Sequence, residues 1–174
     1  MDLSELLPGL EAASNVHPMF VHLPLGLWPT ALGFFIFGAA RHSERLLEMG
    51  RWLLYLATAT AAAAAATGWF AAGQLGHGTP GHDFVHIHRN WMLVATGISA
   101  LTSILAFTLR RSQSPSRHWL QVAAVAITLG VAALGADRGA YLVFGQGVGV
   151  SPNIEPQQQE KGAQPGDGHG HEHR

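Results

Sequence analysis

Four stretches of this sequence carry no Asp, Glu, Lys or Arg: residues 18–40, 52–81, 91–109 and 119–136. A bilayer hydrocarbon core of about 30 Å needs about 20 apolar residues at a helical rise of about 1.5 Å each. Each stretch can therefore cross one, the second from Trp52 to about Ala72. One such run fits the buried helix of a water-soluble protein; four in 174 residues do not. Inside a bilayer no water bonds to the backbone, and a helix satisfies its N–H and C=O groups within the segment. The expectation is an all-α protein, an up-down four-helix transmembrane bundle in contact with the lipid bilayer.

The connections predict the orientation. Arg41, Arg45 and Arg51 lie between the first and second spans, and Arg110, Arg111 and Arg117 between the third and fourth. The connection between spans two and three has only Arg89, and residues 1–16 have neither Lys nor Arg. By the positive-inside rule both Arg-rich turns are cytoplasmic. Both termini then face the periplasmic side of a bacterial inner membrane. Trp52, Trp91 and Trp119 head their spans, where amphipathic rings suit the headgroup zone. Residues 1–16 are acidic where a signal peptide needs positive charge. Their Leu3, Leu6, Leu7 and Leu10 repeat at helical spacing, which predicts a short interfacial segment. Residues 17–150 make the transmembrane domain, and 151–174 a disordered polar, His-rich tail.

Composition narrows the function. Charged residues are 12% of the chain, about half the roughly 25% of soluble domains. A net charge of −1 gives no basic field for nucleic acid. With no cysteine, disulfides, thiolate metal sites, iron–sulfur clusters and c-type haem attachment are excluded. No nucleophile triad, carboxylate dyad or phosphate loop is recognisable, so the sequence gives no ground for an enzyme. Residues 141–150, apolar and glycine-spaced, read as an interfacial strand-like piece over the bundle mouth. Helices in lipid pack by close backbone approach. Ala- and Thr-rich residues 57–68 predict that the second span lies well inside the bundle, with room for a flat cofactor. Gly26-x-x-x-Thr30 and Ala126-x-x-x-Gly130 are small-residue pairs suited to helix contacts, within the bundle or in a homo-oligomer. Pro24 and Pro29 each remove a backbone bond from the first helix.

Of eleven histidines, only His42 and His118 fall among the arginines and read as ordinary boundary residues. His17, His22, His77, His82, His86, His88 and the tail residues His169, His171 and His173 share the other side. His22 is one turn inside span one, and an imidazole in lipid is costly, so it should face the bundle. His17 reads as just outside the helix. Were both helical, five residues would set them about 140° apart. His82 and His86 have i,i+4 spacing, which suits Zn or Cu. Two binding chemistries follow. One is b-type haem with His22 and either His88 or His86 as axial ligands, and Arg89 and Arg138 for the propionates. The other is a Cu or Zn site from His17, His22, His82 and His86. Either would serve membrane electron transfer with a redox-protein partner. The alternative from another class is a cofactor-free accessory subunit of a redox or transport complex.

Two motifs bracket the spans. His17-Pro-Met-Phe-Val-His22-Leu-Pro-Leu-Gly26-Leu resembles the opening motif of the DUF2231 family of predicted bacterial membrane proteins, H-P-x-x-V-H-F-P-x-x-L. The stretch Arg138-Gly139-Ala-Tyr-Leu-Val-Phe-Gly-Gln-Gly147-Val-Gly-Val150 resembles its closing motif, G-G-x-L-V-Y-x-H-G-V-G-V. The resemblance implies a compact four-helix membrane domain whose family histidines are His17 and His22, with His88 in the third span. It also implies company with cytochrome-like modules. Ala140 stands in place of a motif glycine, and Gln146 where the motif often has histidine.

Overall fold

The computed structural model describes residues 16–74, 78, 81–111 and 114–149. The N-terminal leucine segment, His77 and the His-rich tail lie outside the described residues. Four helices follow in order: α1 (His17–Ala40), α2 (Glu44–Gly73), α3 (His82–Thr108) and α4 (Pro115–Phe144). Each is long and apolar enough to cross a membrane. Both α1 and α3 pack against α2 and α4, so the helices close a ring of alternating direction. Phe37, Phe70, Leu101, Ile104 and Ile127 are all exposed; on a membrane bundle that surface meets lipid.

The helices outrun the charge-free stretches. Starting at Glu44, His82 and Pro115, they place Trp52, Trp91 and Trp119 about one to two and a half turns inside rather than at the ends. Charged residues beyond the hydrocarbon are free to remain helical, so lack of charge marks the span and not the helix. His17 is the first helical residue rather than an outlier, with Pro18 in the first turn, and α1 stays helical through Pro24 and Pro29. The expected strand-like piece is instead the last turn of α4, helical to Phe144. Gly147 (φ 65°) and Gly149 (φ 79°) then turn the chain and bring Val148 against Ala72, Val85 and Leu142. Gly81, which precedes α3, has φ 83°, and a Cβ there would lie 2.9 Å from Val148 Cγ2. Both the backbone conformation and the space therefore require glycine.

The core runs along one stripe of each helix. In α1 it is Pro24, Trp28, Ala31 and Phe35, at the spacing of a single helical face. The second span is not more enclosed than the others: all four helices line the ring, each with one buried stripe. Gly26 and Gly130 face outward, with nothing within 4 Å of an added Cβ, so the two small-residue pairs are not the bundle's contacts. The close approaches lie elsewhere. Leu47 sits on Gly38 and the Phe35 ring on Gly50. At mid-height Trp28 Nε1–H donates to Ser99 Oγ (3.0 Å), and Thr58 Oγ1 bonds Ser99 Oγ (2.7 Å) and Ser103 Oγ (2.8 Å).

The two helical hairpins repeat one another. A shift of 71 residues carries Glu44 to Pro115 and Gly73 to Phe144, so α2 maps onto α4 end to end. The same shift carries buried Ala31 to Thr102, Phe35 to Ala106, Leu54 to Val125 and Ala61 to Ala132, all buried. Trp28 and Ser99 are themselves 71 residues apart and touch. A residue can meet its own equivalent only near the axis relating the two copies. The bundle is thus two hairpins about an approximate two-fold axis along its length, an arrangement known among membrane proteins.

Candidate functional site

At the histidine-rich end, each hairpin contributes one imidazole to the bundle interior. The His17 Nδ1–H donates to the Ala64 carbonyl (3.0 Å), with Thr67 Oγ1 at 3.3 Å. The His88 Nδ1–H donates to the Gly135 carbonyl (2.8 Å). The shift of 71 carries His17 to His88 and Ala64 to Gly135, so these are the same bond made twice. The seats repeat as well. A Cβ on Gly68 would lie 2.8 Å from His17 Cε1, and one on Gly139, its equivalent, 2.9 Å from His88 Cε1. A carbonyl only accepts, so each bond puts the proton on Nδ1 and the lone pair on Nε2. This is the tautomer of an imidazole that ligates through Nε2.

His22 does not join them. It is exposed on α1, with its Nδ1–H donating to the Pro18 carbonyl of its own helix (2.7 Å). The expectation that it faces the bundle is corrected by helical register. Counting back from Pro24, His17 falls about 20° from the buried stripe and His22 about 160° away from it. His82 and His86 do come together, since α3 begins at His82. Their Nε2 atoms are 3.1 Å apart, with the rings edge-on. The four-histidine set His17, His22, His82 and His86 is not assembled. Among the described residues no three His, Asp or Glu side chains gather as a metal shell requires. Arg89 lays its guanidinium over Trp69 (4.5 Å), and its buried Nε has no hydrogen-bond partner among the described residues. Arg138 stacks on Trp91 (5.2 Å), donates to the Leu134 carbonyl (2.8 Å) and lies 3.5 Å from Asp137.

At the arginine-rich end, His118 is buried rather than a plain boundary residue. Glu44 lies 3.5 Å from its Nε2 and 3.6 Å from Arg51 Nη2. One turn along α4, the amide of Gln121 is 1% exposed, and neither of its polar atoms has a partner among the described residues. Sequence reasoning missed both groups, and it missed the pairing of His17 with His88. The register of the α1 stripe carried the signal for His17; the burial of Gln121 had none.

Neither the curated proteins nor the solved structures include a match to this chain. The model of the family described as "Predicted membrane protein (DUF2231)" matches residues 13–152, a range that contains all four helices, and the chain belongs to that family.

Proposed function

We propose that the protein binds a b-type haem at its histidine-rich end, with His17 and His88 as axial ligands, and serves electron transfer in the membrane. The carrying observation is the duplicated bond: two imidazoles from equivalent positions, each with its Nδ1–H given to a backbone carbonyl. Such second partners orient a ligand ring and raise its basicity. One ligand per hairpin also suits a centre on the axis between the hairpins. The buried Nε of Arg89, without a hydrogen-bond partner among the described residues, suits a propionate, and Arg138 is a second cation at that end. When bound, the haem supplies a one-electron couple; the chain's own part is to hold two neutral rings and a buried positive charge.

The test is the absorption spectrum of protein purified in mild detergent, with haem supplied, before and after dithionite. A low-spin b-type spectrum is expected, lost in His17→Ala and His88→Ala and retained in His22→Ala. Absence of a Soret band defeats the proposal and leaves the accessory-subunit reading; loss of the band only in His22→Ala overturns His17 and His88 as the ligands.

A single observation favours a second reading. The 3.1 Å between the Nε2 atoms of His82 and His86 matches two ligands on one ion at about 2.0–2.1 Å. Copper or zinc that survives replacement of His169, His171 and His173, and is lost in His86→Ala, would support it. By the positive-inside rule we propose that the Arg-rich turns face the cytoplasm and the histidine-rich end the periplasm. Reporter fusions after Arg45 and Ser151 test this, and a cytoplasmic Ser151 fusion would reverse it.

A further inference from the structure

The two hairpins match in backbone and burial but not in chemistry. Among the described residues, every buried polar residue apart from Arg51 lies in the second hairpin: Ser99, Thr102, His118, Gln121 and Thr128. The shift of 71 residues sets them against Trp28, Ala31, Leu47, Gly50 and Ala57, all buried in the first. Five apolar positions have polar equivalents, at the same depths and on the same faces.

Interhelical adhesion does not explain the set. The first hairpin packs its helices at those depths with Leu, Gly and Ala, and hydroxyl bonds between membrane helices are worth only about 0.6 kcal/mol on average. The hydroxyls are at least satisfied: Thr128 donates to the Ala124 carbonyl and lies 3.2 Å from Thr102 Oγ1. Gln121 differs. Its amide is fully enclosed, and among the described residues neither its donor nor its acceptor has a hydrogen-bond partner. A buried polar group left without a bond costs about 1–3 kcal/mol, and in native interiors such groups are served by internal water. Phe35 covers Gly50 in the first hairpin, whereas in the second the large residue is Gln121 and the ring is replaced by Ala106. An amide thus takes the place of an aromatic ring.

We infer that the second hairpin contains a water lane entering from the arginine-rich end. Glu44, about two-fifths exposed, and His118 form its mouth. Gln121 holds water through both amide atoms, one turn further in. Thr128 and Thr102 continue it about 10 Å beyond Gln121, two helical turns along α4. It ends at the Ser99, Thr58 and Ser103 hydroxyls, where fully buried Trp28 closes it. Beyond Trp28 the interior is small and apolar, with Ala61, Ala95 and Ala132. The ligand is water, admitted from one side to the middle of the bundle. The inference does not depend on haem or metal at the opposite end.

The full chain in lipid bilayers, labelled with 13C and 15N, allows the test by water-edited solid-state NMR. Polarisation from water should reach the Gln121 side-chain amide and Thr128 at short mixing times, but not Ala57 and Ala31, the first-hairpin equivalents of Thr128 and Thr102. Gln121→Leu should abolish the transfer at Thr128 and leave that at the Glu44 mouth. Slow transfer to Gln121 and Thr128, matching that of Ala57, would show the lane dry and overturn the inference. Equally fast transfer to all four would show general water penetration and overturn it as well.

Discussion

The seats of the two inward histidines can be tested by adding one carbon. In Gly139→Ala the new Cβ falls 2.9 Å from Cε1 and 3.1 Å from Nδ1 of His88; in Gly68→Ala it falls 2.8 Å and 3.0 Å from the same atoms of His17. Carbon atoms pack best at about 3.5–4.0 Å, so each ring must retreat by about half an ångström or more. Neither ring can do so without stretching a bond that ties it to a carbonyl on the next helix, at 3.0 Å and 2.8 Å. Loss of the bond costs about 1 kcal/mol, and overpacking about 1–3 kcal/mol. Replacing glycine in a helix returns about 1 kcal/mol. The net expectation is a loss of about 1–3 kcal/mol for each variant. Gly130→Ala and Gly97→Ala are the controls, because an added Cβ there meets nothing within 4 Å; they should be neutral or gain up to about 1 kcal/mol. The assay is reversible unfolding in mixed micelles followed by tryptophan fluorescence. If Gly139→Ala proves as stable as Gly130→Ala, the His88 seat is not the close contact described and the argument for a held imidazole fails.

Two further substitutions probe the interior. Trp28→Phe removes the indole N–H given to Ser99 while keeping a ring in the core, and should cost about 1 kcal/mol in the same assay; an unchanged midpoint would show that the Ser99 bond adds nothing. Glu44→Gln takes the carboxylate from buried Arg51 and His118. Because Glu44 is 40% exposed and its contacts are 3.5–3.6 Å long, the loss should be about 1 kcal/mol rather than the 3–5 kcal/mol of a fully buried pair. It should shrink further in high salt, and a salt-independent loss would point to packing instead.

The class of this fold is legible because lipid imposes a simple rule: keep charge out for about 20 residues, four times over. The rule says nothing about which face of each helix turns inward, and there the sequence misleads. His22 invites an inward reading because its neighbours Val21 and Leu23 are apolar, yet in lipid apolar neighbours mark the outer face as readily as the inner. Register is the better guide, and the spacing of Trp28, Ala31 and Phe35, extended backward, reaches His17. The repeat is harder still to read. Across their thirty positions α2 and α4 share Gly68 with Gly139 and three alanine pairs, Ala61 with Ala132, Ala62 with Ala133 and Ala65 with Ala136. Lipid asks the outer faces only to be apolar, and the inner faces need only fill the same volume. Phe35 and Gly50 in the first hairpin correspond to Ala106 and Gln121 in the second, with large and small exchanged, so geometry persists while identity is lost. What was kept is therefore informative. The glycines under the two imidazoles are among the few residues common to both hairpins, and they stand where space at a ring decides the residue. The other end is freed from that constraint, and there the second hairpin has become polar.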